Sequence, residues 1–362
     1  MNLIKMYQII FSFFGLAFSS FFSLGQTLPP EIKLKDYRPQ SIFKIPETQI
    51  EKARYPLIDL HSHDRSSTKK DIDEWIKTMN KAGVAKSIIL TYTTGAAFDS
   101  IAAKYASYPD RFVLFCGFDY TGYNNPGWPE HALKELERCH KMGAKGVGEL
   151  GDKGKGLFYS KPTPAYGMHL DDPRMKPLLK KCAELHMPIS VHVSDPIWMY
   201  EPMDSTNDGL MNAYEWKIDE TKNGILNHEQ LVNTLKNAVK ENPKTTFIAC
   251  HLANCVYDLN ILGAMLDQYP NLFADIAARY EETATIPRFI KAFYEKYQDR
   301  LVYGTDMGHR LNMYRSTFRV LESADEHFYQ EHSYHWPLYG LVLSDTVLKK
   351  IYRDNALKVL KP

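Results

Sequence analysis

Short apolar runs alternate with amphipathic stretches along most of the chain. Apolar residues at helical spacing, among them Ile72, Ile76 and Met79, predict a helix over 71–82 that ends at Gly83. Short apolar runs between turn signals predict strands. The predicted strands cover 57–60, 87–90, 112–118, 144–150, 188–193, 245–250, 271–276 and 301–305. The predicted helices cover 71–82, 97–108, 131–142, 177–185, 231–239, 261–269, 287–297 and 345–360.

Eight predicted strands that alternate with helices are typical of an α/β protein with a (β/α)8 fold, the TIM barrel. Most strand starts are separated by roughly 25 to 35 residues, the length of one strand–helix unit. A doubly wound sheet is the alternative, but no G-x-G-x-x-G pattern follows an early strand. Three longer segments, at 151–172, 194–226 and 307–343, follow strands. We therefore expect them at the C-terminal face, where barrel enzymes form their active sites.

The first residues of the chain are typical of a secretory signal peptide. Lys5 supplies a positive charge, residues 9–22 form an apolar core, and the small residues Ser23 and Gly25 precede a cleavage point before Gln26. An uncleaved anchor is the alternative, but the apolar run is shorter than the about 20 residues of a transmembrane helix. We expect cleavage, export to the periplasm or the cell exterior, and no stable membrane insertion.

The sequence then divides into a signal peptide (1–25), an extended lead-in with several prolines (26–55) and a single barrel domain (56–362). The 44 Lys and Arg residues balance 43 Asp and Glu residues, so the net charge is +1. Because surfaces that bind nucleic acid concentrate positive charge, this mixed distribution argues against nucleic acid as a partner. The five cysteines have no paired spacing, and we expect no structural disulfide.

Side chains that commonly bind metal ions stand at the ends of the predicted strands. His61 and His63 end the first strand, and period-two alternation places both on the same side. The others are Glu149 after the fourth strand, His192 after the fifth, His251 after the sixth and Asp306 after the eighth. Because the C-terminal ends of barrel strands meet around one axis, we expect these side chains to converge on a metal site.

These motifs resemble the amidohydrolase superfamily of metal-dependent barrel enzymes. They are closest to its amidohydrolase-related, or type 2, branch, which includes hydrolases, decarboxylases and hydratases. The matching stretches are I-D-L-H-S-H at 58–63, G-V-G-E-L at 146–150, P-I-S-V-H at 188–192, His251, Y-G-T-D at 303–306 and D-N-A at 354–356. The resemblance extends from about residue 56 to 360 and implies the family, but not one particular reaction.

The resemblance implies a ligand set for the metal, namely His61, His63, His192 and Asp306. Asp306 would also accept a proton from the metal-bound water, and His251 would polarise or protonate the substrate. Three histidines and a carboxylate suit one divalent ion, which we expect to be zinc, with manganese as the alternative.

Glu149 occupies the position at which two-metal members of the family carry a bridging carboxylated lysine or glutamate. It would bridge a second ion, act as an additional ligand of one ion, or contact the substrate. Among these we favour a single ion. The residues expected to contact substrate are Arg279, Glu149, Trp198 and His309. Arg279 would pair with an anionic group through its planar guanidinium, and a surface salt bridge is the alternative.

Three enzymatic functions and one binding function are compatible with this site. We favour an exported hydrolase that uses metal-bound water or hydroxide to cleave a lactone, ester or amide of a carboxylated or sugar-derived substrate. The alternative is a metal-dependent dehydratase or hydratase acting on a uronic-acid-containing oligosaccharide, and a decarboxylase is a lesser alternative. A non-catalytic binding protein would hold a structural metal, but closed structural sites leave no position for water. The expected partner is an anionic small molecule or oligosaccharide.

Overall fold

The computed structural model describes residues 31–158, 163–219, 222, 224–330 and 335–361. The predicted signal peptide lies outside the described residues. Met1–Arg38 and Pro39–Pro362 form two units. The described part of the first unit contains a 3-10 helix at Leu34–Asp36. In the second unit, residues 39–56 contain neither a helix nor a strand, and the rest of this section concerns that unit.

Eight parallel strands surround the core in chain order, which confirms the predicted barrel. The strands are β1 (Leu57–Ser62), β2 (Val84–Leu90), β3 (Phe112–Cys116), β4 (Gly146–Asp152), β5 (Ile189–Val193), β6 (Phe247–Ala249), β7 (Leu272–Asp275) and β8 (Leu301–Val302). The barrel closes where the backbone N–H of Leu60 donates to the carbonyl of Tyr303 over 2.9 Å and that of Thr305 donates to His61 over 3.1 Å.

Helices follow the strands and cover the outside of the barrel. They are α1 (Lys69–Ala82), α2 (Gly95–Tyr105), α3 (Trp128–Lys141), α4 (Lys176–Glu184), α5 (Leu210–Trp216), α6 (His228–Glu241), α7 (Leu259–Gln268), α8 (Tyr280–Ala284), α9 (Pro287–Lys296), α10 (Leu311–Glu322), α11 (Asp345–Lys349) and α12 (Asn355–Val359). A π-helical turn at Lys350–Asp354 separates the last two.

The first helix shows why the sequence pattern located these elements. Thr68 and Asp71 form a capping box at its N-terminus, and Gly83 ends it in the left-handed conformation at φ 82°. Its buried residues include Ile72 and Met79, which are seven residues apart and therefore lie on the same face of the helix. The observed helix therefore begins two residues before the predicted one and ends at the same residue.

The structure differs from the sequence prediction mainly in the long segments after strands. Three helices, α5, α8 and α10, lie where no helix was predicted. The predicted strand at 301–305 is reduced to Leu301–Val302, because Tyr303 donates its backbone N–H to the carbonyl of Ile351 instead. The predicted closing helix at 345–360 is interrupted by the π-helical turn.

Apolar side chains fill both the inside of the barrel and the layer between strands and helices. The inner cluster contains Ile58, Leu60, Ile88, Leu90, Phe115, Ile248, Val302, Ala356 and Val359. All five cysteines are free and buried. Among the described residues, no helix has the length and apolar character needed to cross a membrane.

Candidate metal centre

His61, His63 and Asp306 form the first donor group at the C-terminal end of the barrel. His61 lies within β1 and His63 follows it, while Asp306 follows β8. Asp306 Oδ1 lies 3.7 Å from His61 Nε2 and 3.0 Å from His63 Nε2. The three donor atoms lie within 4.8 Å of one another, so one ion could contact all of them.

Glu149, at β4, lies between this group and a second pair of histidines. Its Oε2 atom is 3.8 Å from His61 Nε2 and 3.4 Å from His63 Nε2. Its Oε1 atom is 2.7 Å from His192 Nδ1 and 3.4 Å from His251 Nε2. We call His192 and His251 the second donor group. One carboxylate thus presents one oxygen to each group.

The remaining ring nitrogens contact fixed acceptors outside the centre. His63 Nδ1 donates to the carbonyl of Leu90 over 2.9 Å, and His251 Nδ1 donates to the carbonyl of Ala277 over 2.9 Å. Because a carbonyl only accepts, each of these nitrogens carries the proton and leaves the lone pair on Nε2. Such partners orient the histidine ligands of metal sites.

Carboxylates fix the other two histidines in the same way. His61 Nδ1 lies 2.8 Å from Asp275 Oδ2. His192 Nδ1 donates to Glu149 Oε1 over 2.7 Å, and its Nε2 lies 3.4 Å from Asp195 Oδ1. The lone pairs of His61, His63 and His251 therefore face a common space that also contains Glu149 and Asp306.

The electrostatics of this space favour a cation. Burial alone would raise the pKa values of Glu149 and Asp306, but the surrounding imidazoles hold both below the ordinary range. Burial alone would lower the pKa of His63, but Asp306 and Glu149 raise it to about 9. The two carboxylates therefore stay ionised and attract protons or, in their place, a metal ion.

The donor distances also fit an ion. Four ligands at about 2.1 Å from a tetrahedral metal lie about 3.4 Å from one another, and the donors around Glu149 Oε2 lie 3.0 to 3.8 Å apart. His61 Nε2 and His251 Nε2 are buried and make no hydrogen bond with the described residues. Nitrogen and oxygen donors suit zinc and manganese, so the residues fit a divalent metal.

The amidohydrolase family model matches residues 76–361. The chain belongs to this family. A comparison with curated proteins finds no match. The matched region begins after His61 and His63, so their part in the centre rests on the structure. Membership shows a metal-dependent enzyme, and the parallel barrel agrees with it.

Several solved structures share the fold of this amidohydrolase. The 2,6-dihydroxybenzoate decarboxylase from Rhizobium is 17% identical, with a TM-score of 0.52, covering 84% of this chain and 98% of its own. A dihydroxybenzoic acid decarboxylase from Polaromonas sp. JS666, with manganese and 2-nitroresorcinol, is 16% identical (TM-score 0.53, 84% and 97% covered). A 5-carboxyvanillate decarboxylase from Novosphingobium aromaticivorans, with manganese and 4-hydroxy-3-methoxy-5-nitrobenzoic acid, is 16% identical (TM-score 0.53, 88% and 100% covered).

Arg279 of this amidohydrolase is engaged inside the protein. The residue is 7% exposed, and its Nε and Nη2 donate to Asn254 Oδ1 over 3.1 and 2.6 Å. Its Nη1 donates to the carbonyl of Ala278 over 2.8 Å. Asn254 in turn donates to the carbonyl of Val193 at the end of β5. The guanidinium therefore ties two strand ends together inside the protein, which differs both from a free substrate-binding cation and from the surface salt bridge that was the alternative.

Trp198 and His309 lie in different surroundings. Trp198 lines a cavity and donates its indole N–H to Glu282 Oε1 over 2.7 Å. The ring of His309 stacks on Trp75 of α1, with centroids 4.5 Å apart. The structure thus places Trp198 in the wall of a cavity, whereas the described contact of His309 is with a buried core residue.

Two carboxylates that position histidines escaped the sequence analysis. Asp275 ends β7 directly after an apolar run, which is the same signal that identified Asp306. Asp195 follows His192 by three residues in a segment treated as a loop. His61, the partner of Asp275, lies 214 residues away in the chain, so the sequence marks that carboxylate but not its role.

Proposed function

We propose that this amidohydrolase is a hydrolase that holds two divalent ions bridged by Glu149 and cleaves a C–O or C–N bond in a small molecule. The observation that carries the proposal is the position of Glu149, whose two oxygens face two different donor groups. A single ion was expected from the sequence, and we now propose two because the oxygens of Glu149 face two donor groups.

The first ion would be held by the first donor group and Glu149 Oε2. The second would be held by His192 Nδ1, His251 Nε2 and Glu149 Oε1, and it would replace the proton that His192 donates to Glu149 over 2.7 Å. In this assignment His192 belongs to the second ion and not, as expected from the sequence, to the first. When bound, the two ions would polarise the attacking water and the oxygen of the scissile bond. We propose zinc, with manganese as the alternative, because both accept this donor set.

Asp306 is the residue of this chain placed to move a proton. Its side chain is the most exposed of the donor carboxylates, at 27% against 12% for Glu149. Because its pKa is held low by the neighbouring imidazoles, it is ionised at neutral pH and can accept a proton from water. His251 Nε2, 3.7 Å from Asp306 Oδ2, is a ligand of the second ion in this proposal, so the role in polarising or protonating the substrate that was expected for His251 is not part of it.

Elemental analysis of protein saturated with zinc tests the two-ion centre. We expect two equivalents per chain, with His63→Ala and His192→Ala each retaining one. His131→Ala, which removes an exposed histidine of α3, is the matched control and should retain two. One equivalent in the unaltered protein, or loss of both ions in His192→Ala with the fold intact, would overturn the bridged centre.

Product mass tests the reaction. We expect a panel of amides, esters and lactones to yield products that gain one water, with activity lost on chelation and restored by metal. Loss of one water, for example from uronic-acid-containing oligosaccharides, would identify the dehydratase alternative instead.

A decarboxylase is the second candidate, favoured by the fold shared with the decarboxylases from Rhizobium, Polaromonas and Novosphingobium. Release of carbon dioxide from hydroxybenzoates, with no hydrolysis of the ester and amide panel, would support it. The shared fold at 16 to 17% identity leaves the reaction open, whereas the bridging position of Glu149 favours hydrolysis.

A further inference from the structure

Arg65 lies at the edge of the metal centre, two residues after His63 in the chain. Its Nη2 donates to the backbone carbonyl of Asp306 over 2.6 Å, so the guanidinium is held against a residue of the first donor group. The residue as a whole is exposed. The bond to Asp306 uses one of the five N–H donors of the guanidinium, and the others can reach a further acceptor.

No carboxylate neutralises Arg65 within the described part of the chain. No Asp or Glu oxygen lies within 4.0 Å of its guanidinium there. Asp64, its neighbour in the chain, is bonded to Lys104 Nζ over 2.6 Å instead. The carboxylate of Asp306 faces His61 and His63. A carboxylate that enters the centre would therefore meet a cation for which no acid of the described protein competes.

Unfilled space adjoins the guanidinium at Gly308. A Cβ atom built on Gly308 would have no described neighbour closer than Arg65 Nε, at 4.0 Å, apart from the residues next to it in the chain. Tyr92, after β2, lies nearby with its ring centroid 5.7 Å from that of His63. Burial and Glu149 raise the pKa of the Tyr92 phenol while Arg65 lowers it, so both charges act on this ring. Arg65 therefore lies beside open space at the edge of the first donor group.

We infer that Arg65 binds a carboxylate of the substrate and thereby selects molecules that carry an acid group near the bond to be cleaved. A guanidinium holds a carboxylate through two parallel N–H bonds, which would fix the orientation of the substrate relative to the centre. Arg279, from which this role was expected, is bonded to Asn254 and Ala278 instead.

The inference rests on the proposed function only in taking this ligand to be the substrate of a hydrolase. Under that function, the preferred class is an ester, lactone or amide with a free carboxylate. Recognition of the acid group by Arg65 does not itself require that a bond is cleaved. A binding experiment therefore separates it from the proposed reaction.

Paired hydroxamate probes test the inference in zinc-loaded protein. The hydroxamate ligates a divalent metal, and the other end of the probe carries a carboxylate or an amide of similar size. The monohydroxamates of malonic, succinic and glutaric acid and their amides vary the distance between the two ends. Calorimetric titration gives the ratio of the affinities of the carboxylate and amide probes. We expect the carboxylate to bind at least about tenfold more tightly at the best-fitting length.

A ratio near one at every length, or no binding of the carboxylate probes, would overturn the inference. Neither result would contradict hydrolysis, because neither probe is turned over. If no ester, lactone or amide is hydrolysed while the ratio is as expected, the proposed reaction fails and the recognition of an acid group stands.

Arg65→Gln assigns the preference to this residue. The ratio should fall to about one, whereas Arg65→Lys, which keeps the charge without the planar fork, should retain part of it. Arg353→Gln alters an exposed arginine of the π-helical turn and is the matched control, in which the ratio should be unchanged. Any shift of Asp306 affects both probes at the metal and cancels in the ratio. An unchanged ratio in Arg65→Gln would show that Arg65 has a structural role only and would overturn the inference.

Discussion

Asp275 and His61 form a buried contact in which Asp275 Oδ2 accepts from His61 Nδ1 over 2.8 Å. The other oxygen of Asp275 accepts the backbone N–H of His251 over 2.8 Å and that of Ala277 over 3.0 Å. Burial alone would raise the pKa of Asp275, but His61 and these donors hold it below the ordinary value. One carboxylate therefore orients a ligand of the first group and the backbone of the second.

We predict that Asp275→Asn weakens zinc binding by about 10- to 100-fold, the usual effect of losing such a partner. All three groups that contact Asp275 are N–H donors, so the amide NH2 of Asn must face at least one of them. Titration of metal-free protein measures the affinity. Asp299→Asn, which removes a surface partner of Lys350, is the control, and equal zinc affinity in both variants would contradict the prediction.

We predict that position 304 requires glycine, because β1 lies too close to leave room for a side chain. A Cβ atom at this position would lie 2.6 Å from His61 Cβ and 3.2 Å from Ala277 Cβ. We expect Gly304→Ala to reduce the free energy of unfolding by about 1 to 3 kcal/mol and to weaken zinc binding, because His61 must move. Urea denaturation and zinc titration measure the two effects. An unchanged free energy of unfolding together with unchanged zinc affinity would contradict the prediction.

Glu135 is predicted to contribute stability that depends on pH. Arg138 donates to both of its oxygens, and Gly95 at the start of α2 donates its backbone N–H over 2.7 Å. These contacts, Arg138 first, lower the pKa of Glu135 to about 2. Because the folded pKa is depressed, the stabilisation is fully present above the unfolded pKa of about 4.3 and is lost as pH falls through about 2.

Glu135→Gln should therefore reduce the free energy of unfolding by about 1 to 2 kcal/mol at pH 7, a value that allows for solvent screening of the partly exposed pair. The difference from the unaltered protein should shrink by more than half at pH 3. Urea denaturation at the two pH values measures it. Glu74→Gln, at an exposed pair with Lys77, should show a smaller effect, and a difference that grows on acidification would contradict the sign.

Export is predicted from the N-terminal segment. Residues 9–22 supply an apolar core, and Ser23 and Gly25 precede the expected cleavage point. In a host that processes signal peptides, the intact mass of purified protein should correspond to a chain that begins at Gln26. A mass that retains Met1 would contradict cleavage.

The resemblance and the strand-end rule predicted most members of the centre. His61, His63, Glu149, His192, His251 and Asp306 all lie at the C-terminal end of the barrel and contact one another directly or through Glu149. The helix α10 could also have been predicted, because its buried residues Tyr314, Thr317, Phe318 and Leu321 follow helical spacing. The contacts of Arg279 could not be predicted, because its partner Asn254 is distant in sequence. Only the folded chain shows that the guanidinium already donates to Asn254.

The sequence by itself determined the barrel and the identity of the donors, since period and residue type are local properties. The sequence did not determine which donors belong to the first donor group and which to the second. Ile58 and Leu60 belong to the inner cluster, so simple alternation would turn His61 towards the helices. A register shift between Asp59 and Ser62 accompanies its orientation towards Glu149. Only tertiary structure decides such a shift, and only it placed the oxygens of Glu149 between two pairs of histidines.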